Sequence, residues 1–495
     1  MHASMKKLTA LLLAGLMLLS LPSCAEEEET VGEGVTTDTD TTVEEESRDP
    51  NYVCDLPADL NYGDTTVGIL YPGDGAFDRG EEIFSEKITG DVISDAVFER
   101  NTIVENQLKV KFEYIDKGTD SDVVSTINNY VQAGDRSAEI FSLGSYMCMG
   151  PTLSGCYLNL NHVENIDLDK FYWTQGYNDL MTIGDGMQFV ASSPMAISTF
   201  RAGYLTIFNR DLMKDYNIPD IYDAVENGTW TLDYQYSLIK DIYVDADGDG
   251  VSSYGDFYGF STGTMVLLDG YFVASDIHLL IHDEDGNRVF NSGTSEKIVN
   301  TVEKVSTLLN APGSYAALGG GSTIQKITNK TCIIANAMFN DLEDNIESLA
   351  DIQYGIAPLP KLNEDQKNYG TYIQDQVSSF GISASVGDGA RQDMLGAVME
   401  ALAYHSNEIV RPAYYDSVLS LRFMQDPDSQ NILNTMFESI SFDYCFVVGL
   451  GGVREDLRVL LPSSNPSVAS KIKSWETMIK TSLKGEQKKI DKLEK

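Results

Sequence analysis

Basic residues are scarce in this chain of 495 residues: Lys and Arg number 35 against 75 Asp and Glu, a formal net charge of −40. A surface of that sign repels phosphate backbones, so no nucleic-acid partner is expected, and its plainest use is solubility at a cell exterior. Histidine is scarcer still. The five, His2, His162, His278, His282 and His405, form no H-E-x-x-H pair, and no G-x-S-x-G nucleophile elbow occurs. The Gly-rich stretches Gly319–Gly321 and Gly449-Leu450-Gly451-Gly452 lack the strand-to-helix setting of a phosphate loop and read as flexible turns. Paired carboxylates abound in so acidic a chain, so their number neither supports nor excludes a glycosidase pair. Of six cysteines, five follow Cys24 (Cys54, Cys148, Cys156, Cys332 and Cys445), and that odd set cannot pair completely or match a zinc spacing. Cys148 and Cys156 are near enough to close a small loop, but free buried thiols are the simpler reading. Beyond the N-terminus no run of about 20 apolar residues exists, so nothing later reads as a membrane span.

What the chain does have begins at that N-terminus. Lys6 and Lys7 precede the apolar run Leu8–Leu21, followed by Pro22-Ser23-Cys24, the layout of an export signal. The Leu21–Cys24 stretch resembles the bacterial lipoprotein signal. That resemblance implies acylation of Cys24 and a lipid anchor at the outer face of the cytoplasmic membrane; ordinary cleavage with secretion and an uncleaved anchor are the alternatives. Ala25–Asp49 is almost devoid of apolar residues and is expected to be a disordered, charge-extended tether. Residues 1–24 are thus assigned to the signal and 25–62 to the tether.

At this length two or three domains are expected. From Thr65 short apolar strands alternate with helices: Thr66–Tyr71, helix Asp91–Gln107, Val110–Ile115, helix Ser121–Ala133 and Ala138–Leu143. Such alternation predicts an α/β lobe with a largely parallel sheet, whose ligands bind at the carboxyl ends of the strands. Gln188–Ala191 reads as a further strand, and Phe200-Arg201 as the first crossing to a second lobe. The second lobe continues through strand Tyr204–Phe208, a hairpin turning at Asp285-Gly286, helix Ser295–Leu309 and strand Thr331–Ala337. Tyr354–Pro360 looks like the crossing back. Helices Arg391–His405 and Ser467–Lys484 follow, and the last residues read as a solvated Lys/Glu tail.

Between Asp245 and Asp256 the sequence DADGDGVSSYGD sets Asp at positions 1, 3, 5 and 12 and Gly at 6, the spacing that wraps oxygen ligands around Ca²⁺. Asp245, Asp247 and Asp249 would offer side-chain oxygens, Val251 its carbonyl, Ser253 a hydroxyl or a water, and Asp256 the closing carboxylate. Asp at position 12 is shorter than the usual Glu, which weakens bidentate closure. The competing reading is a plain acidic turn, although three carboxylates so close repel one another without a cation.

Several of these stretches, taken in order, resemble the extracellular solute-binding proteins of sugar uptake transporters, the maltose-binding-like group. They are Leu21–Cys24, Tyr204–Phe208 with Asn209-Arg210-Asp211-Leu212, Asn227-Gly228-Thr229-Trp230-Thr231, the acidic loop followed by Tyr258-Gly259-Phe260, and Tyr354–Pro360. The resemblance implies a two-lobed periplasmic-binding-protein-like α/β fold, each lobe a mostly parallel sheet flanked by helices, joined by hinge strands. It implies lobes at 63–200 and 201–352, a return to the first lobe over 353–408, and C-terminal helices, 409–495, completing the second. It further implies a monomer that binds a carbohydrate between the lobes, delivers it to an ABC transporter permease in the membrane, and performs no catalysis. By matching positions, Tyr71, Asp74, Ser142, Tyr146, Arg201, Thr264, Met265, Phe339 and Asn340 should face the ligand, with Tyr372, Gln374 and Asp375 as further candidates. Trp230 opens a helix in the matching segment and reads as structural. Peptides or other solutes remain open as ligands. So do a glycan adhesin or sensor and a surface glycoside-active enzyme.

Overall fold

Short apolar runs set between charged helices become the strands of two larger sheets and two two-stranded ones. The small pairs join Leu280–His282 to Arg288–Phe290 and Thr371–Tyr372 to Ile440–Ser441. The computed structural model describes residues 54–284, 286–317, 320–387, 389–415 and 427–493. The expectations for the signal, Cys24 and most of the tether fall outside them. In chain order the strands of the first half are β1 (Thr65–Tyr71), β2 (Val110–Asp116), β3 (Ile140–Gly144), β4 (Tyr204–Asn209), β5 (Tyr243–Val244), β6 (Phe257–Gly263) and β7 (Leu280–His282). Those of the second half are β8 (Arg288–Phe290), β9 (Ser314–Ala317), β10 (Cys332–Met338), β11 (Tyr354–Ala357), β12 (Thr371–Tyr372), β13 (Ser378–Ile382) and β14 (Ile440–Ser441).

The first lobe is built on the order β13-β3-β1-β2. β1 runs parallel to β2, with Thr65 opposite Val110 and Tyr71 opposite Asp116, and parallel to β3; β13 returns antiparallel on the edge of β3. Helices cover this sheet because their ends are well capped. Asp91 accepts from the N–H groups of Ile93 and Ser94 to start helix Val92–Leu108, which Lys109 ends in the left-handed region. Thr119 and Gly134 do the same for helix Asp120–Ala133. The sheet lies so close to the chain behind it that a Cβ on Gly68 would sit 2.0 Å from the Ser137 carbonyl oxygen. Only glycine fits there.

The second lobe carries a mixed sheet in the order β11-β4-β10-β6-β5, with β9 also paired to β6. β6 runs parallel to β10 and β9, whereas β4 lies antiparallel to both β10 and β11. β4, β6 and β10 are buried along nearly their whole length, as expected of strands covered on both faces. Trp230 is fully enclosed, and its indole N–H donates to the Pro358 carbonyl at 2.9 Å, so it is a packing residue.

Four expectations need correction. Tyr354–Ala357 is no crossing: it is β11, hydrogen-bonded to β4 from Tyr354 opposite Asn209 to Ala357 opposite Thr206. The chain returns to the first sheet only after Tyr372. Residues 54–62 belong to the folded lobe and not to a tether, since Leu56, Leu60 and Tyr62 pack against the first-lobe core and the Tyr62 N–H bonds the Leu108 carbonyl at 2.9 Å. Gln188–Ala191 forms no ladder beyond a single bridge between Ala191 and Phe380. The last helix runs from Val468 to Leu493 with Ile490 buried, in place of a solvated tail. Gly320 and Gly321, expected in a flexible turn, begin a helix, Gly320–Thr328. Cys54, Cys148, Cys156, Cys332 and Cys445 are all free thiols. No helix among the described residues is long and apolar enough to cross a membrane.

Candidate functional site

The carboxyl ends of β1, β2 and β3 are stitched together by two aspartates. Asp116, closing β2, accepts from the N–H of Gly73 at 2.9 Å and of Gly118 at 2.7 Å, while the Asp74 N–H donates to the Gly118 carbonyl at 2.9 Å. Asp120 accepts from the Gly144 N–H at 2.9 Å, from the Tyr146 hydroxyl at 3.3 Å and, through both oxygens, from the Arg79 guanidinium. Arg79 is fully buried, so this ion pair is desolvated and fixed in geometry. Burial and the neighbouring Asp120 charge push the Tyr146 phenol up to about 12, so it stays a neutral donor. Asp74 is exposed, Tyr146 half-buried and Tyr71 nearly enclosed at the end of β1. Gly144 makes room for this cluster, since a Cβ there would lie 2.8 Å from an Arg79 nitrogen and 2.7 Å from the Tyr146 ring.

Two crossing segments, Ser198–Gly203 and Ile373–Ser378, run side by side between the lobes. Gly203 bridges Ile373, and the Gln374 N–H donates to the Ala202 carbonyl at 3.2 Å. Both hang from one fully buried carboxylate of the first lobe. Glu82 accepts from the Ser198 N–H through one oxygen and from the Ser378 hydroxyl, at 2.5 Å, through the other. The Ser198 hydroxyl in turn accepts from the Ser378 N–H at 3.1 Å. Burial pushes the Glu82 carboxyl up, against the pull of these serine donors.

Arg201 lies on the first crossing and touches both lobes. Its Nε donates to Glu343 at 3.1 Å, and its terminal nitrogens reach the Phe77 carbonyl at 3.2 Å and Glu81 at 3.3 Å. Phe77 and Asp78 are consecutive non-glycine residues in the left-handed region, at φ +61° and +53°. Strain of about 1–2 kcal/mol per residue is expected there, held by the surrounding bonds. Asp375, on the second crossing, is paired with Arg454, and its carbonyl accepts from the Tyr146 N–H at 3.0 Å.

The remaining expected ligand residues divide by burial. Met265 is 54 % exposed with φ +64°, a bulky apolar side chain held outward by an uncommon backbone conformation. Thr264 and Asn340 are half-buried. The Thr264 hydroxyl is without a partner among the described residues, whereas the Asn340 amide donates to Asp344 at 2.9 Å. Phe339, Tyr372 and Ser142 are not at an open face. Phe339 stacks on Phe437 at 5.6 Å, Tyr372 packs between Tyr204 and Phe446 at 5.1 and 5.7 Å, and Ser142 is enclosed within β3. Gln374 is also buried, its amide oxygen accepting from the Gln376 N–H at 2.8 Å. Sequence reading missed Arg79, Glu82 and Asp120. The one usable signal was an arginine close after the strand-end loop of a chain poor in basic residues.

The acidic loop divides into two ends. Carboxylate oxygens of Asp245, Asp247 and Asp249 lie within 4.8 Å of one another, a donor set that suits a hard cation. Backbone N–H groups shape it: Gly248 and Gly250 each donate to Asp245 at 2.8 Å, and Val251 donates to Asp249 at 2.7 Å. Val251 itself is 62 % exposed. Asp256, expected to close the ligand ring, is turned to the protein, accepting from the Ala246 N–H at 3.0 Å, the Ser253 N–H at 2.8 Å and the Tyr243 hydroxyl at 3.3 Å. The two backbone donors hold its carboxyl below the usual range. Behind it the buried Lys326 ammonium donates to the carbonyls of Tyr254 at 2.7 Å and Asp256 at 3.0 Å, between the rings of Tyr254, Tyr258 and Tyr315. That end of the loop has a cation of its own.

No protein-family model matches the sequence, and no curated protein does. Solved structures do. The galacto-N-biose/lacto-N-biose I-binding protein of an ABC transporter from Bifidobacterium longum, in complex with lacto-N-biose, aligns over 86 % of this chain and 98 % of its own at 13 % identity, with a TM-score of 0.54. A family 1 extracellular solute-binding protein from Bifidobacterium longum subsp. infantis aligns over 85 % and 100 % at 14 % identity and TM-score 0.53. The cyclic alpha-maltosyl-1,6-maltose binding protein from Arthrobacter globiformis aligns over 86 % and 100 % at 13 % identity and TM-score 0.57. Two α/β sheets joined by paired crossings, and this likeness over most of both chains, give the protein the fold of the two-lobed extracellular solute-binding proteins.

Proposed function

We propose that the protein binds a carbohydrate between its lobes and delivers it to the permease of an ABC importer, without catalysing a reaction on it. The observation that carries this reading is the pair of crossings beneath strand ends that present Asp74 and Tyr146 on one lobe and Thr264, Met265 and Asn340 on the other. Clefts between lobes are favoured ligand sites, and hinge closure is a common response to a ligand. An exposed carboxylate, an amide, hydroxyls and an apolar side chain suit the alternating hydroxyl and C–H surfaces of a sugar. The sugar-binding partners named for the fold neighbours support the ligand class. In this reading the protein is a monomer at the cell surface, anchored through Cys24, and Ca²⁺ sits on Asp245, Asp247 and Asp249 as a structural clip.

The test is a thermal-shift screen of the protein without its N-terminal signal against an oligosaccharide panel, repeated with Asp74→Ala and Tyr146→Ala. A shift with one glycan class, weakened in both variants, is expected. A shift with peptides and none with any glycan overturns the ligand class; glycan turnover by the purified protein overturns the non-catalytic reading. Unchanged affinity in both variants overturns the placement of the ligand.

A further inference from the structure

A groove of about 1030 Å³ opens on the second lobe between the chain around Asn363–Gly370 and the segment Asn431–Ser441, and no residue of the candidate site lines it. Its size is at the upper end of the roughly 300–1,000 Å³ typical of small-molecule sites. The two walls are fixed to each other by the β12–β14 pairing and by the hydroxyls of Thr371 and Ser439 at 3.0 Å. It is a standing feature of the lobe.

The lining narrows the chemistry. Side-chain amides of Asn368 and Asn431 and the hydroxyl of Ser441 make no hydrogen bond among the described residues, so donors and acceptors stand ready on both walls. Tyr369 forms a fixed, largely buried part of the wall: its hydroxyl donates to the Val225 carbonyl at 3.2 Å, and the Lys361 ammonium lies 5.1 Å from its ring centroid. Of the two basic residues in the lining, Lys297 and Lys367, the first is neutralised by Asp276 at 2.7 Å. With Glu226, Asp365 and Glu438 also in the lining and a chain charge of −40, an anionic ligand is disfavoured. Planar amides and a hydroxyl on two fixed walls fit a neutral polyhydroxylated molecule, with amides spanning neighbouring hydroxyls.

We infer that this groove is a second carbohydrate site on the second lobe, one that holds a sugar chain independently of the face between the lobes. The choice of ligand class rests on the function proposed above; the location does not. Hydrogen–deuterium exchange on the protein with maltoheptaose, cellohexaose and xylohexaose reads both places at once. At least one glycan is expected to slow exchange over 363–370 and 431–441 in the wild type. That protection should be lost in Asn368→Ala/Asn431→Ala and in Ser441→Trp, which fills the groove, while protection at 72–79 and 264–266 is retained. Protection at the latter segments alone overturns the second site and leaves the proposed function intact. Protection in the groove alone supports the second site and overturns the interlobe placement. No protection by any of the glycans, or protection by a hexapeptide library in their place, overturns the inference.

Discussion

Every nitrogen of Arg201 is already engaged by the protein, which changes what its removal should do. The side chain is only 7 % exposed and its partners are Glu343, Glu81 and a backbone carbonyl. Arg201→Ala would leave Glu343 buried beside no cation. A loss of about 3 kcal/mol is expected in denaturant unfolding, the low end for a broken buried pair because Glu81 is half-exposed; an unchanged midpoint would show that the contacts contribute nothing. Sequence suggested a ligand contact here because the partners are invisible locally, at separations of 120 and 142 residues. Phe339 and Tyr372, expected at the ligand, are packed in the core for a related reason: an aromatic near a strand end satisfies a core and a sugar equally well, and only the packing partner decides. Glu400 offers a pH test. Tyr172, Trp173 and the Asp167 N–H all donate to it, yet burial dominates and pushes its carboxyl up to about 7. A carboxyl raised above its unfolded value, about 4.3, makes the folded state bind more protons. Its contribution is therefore complete below about pH 4 and is lost as pH rises through about 7. Glu400→Gln should flatten that part of the Tm-against-pH curve, and an identical slope in the variant would count against it.

At the scale of elements, the strands and helices were legible wherever burial patterning is local. β1, β2, β3, β4 and β10, and the helices at Val92, Asp120, Ser295 and Ala390, fall within a few residues of where apolar runs and caps place them. Pairing was not legible. Tyr354–Ala357 reads as an extended apolar stretch in either lobe, and only its ladder with β4 assigns it to the second. Gln188–Ala191 has strand composition but only one bridging partner. The acidic loop was recognised from spacing alone, yet spacing could not reveal Lys326 some seventy residues on, holding the carbonyls of Tyr254 and Asp256. The loop should therefore respond unequally to its two cations. Lys326→Met is expected to lower Tm with or without Ca²⁺, whereas chelation should lower it only modestly and Asp247→Asn should abolish the response to Ca²⁺. A Lys326→Met variant that Ca²⁺ fully rescues would show that the lysine adds nothing beyond the metal.

For the whole molecule the dominant number is the charge of −40. Mutual repulsion among surface carboxylates opposes the compact state and is screened by salt, whose Debye length falls from about 30 Å at 0.01 M to about 8 Å at 0.15 M. Tm should rise between those two NaCl concentrations in differential scanning calorimetry. A flat or falling Tm would mean that attractive pairs such as Arg79–Asp120 outweigh the net repulsion. Two lobes were implied by the resemblance, and Phe200-Arg201, read as the first crossing, lies within Ser198–Gly203; the return crossing was not legible, because Glu82 joins Ser198 to Ser378 across most of the second lobe's sequence.

The same connectivity sets an order of assembly during synthesis. β3 needs β13 on its edge, and the first lobe needs helix Ala390–His405 against its core, but both are made only after the stretch 204–372 has left the ribosome. The first lobe begins before the second, and the second is in turn completed only by the still later segment that carries Asn431–Ser441 and Arg458, paired with Asp269. Until Ser378–Ile382 emerges, β3 is an open edge on a nascent chain, able to pair with any passing strand. A chain interrupted anywhere in the second lobe is thus left with two incomplete cores and not with one finished domain.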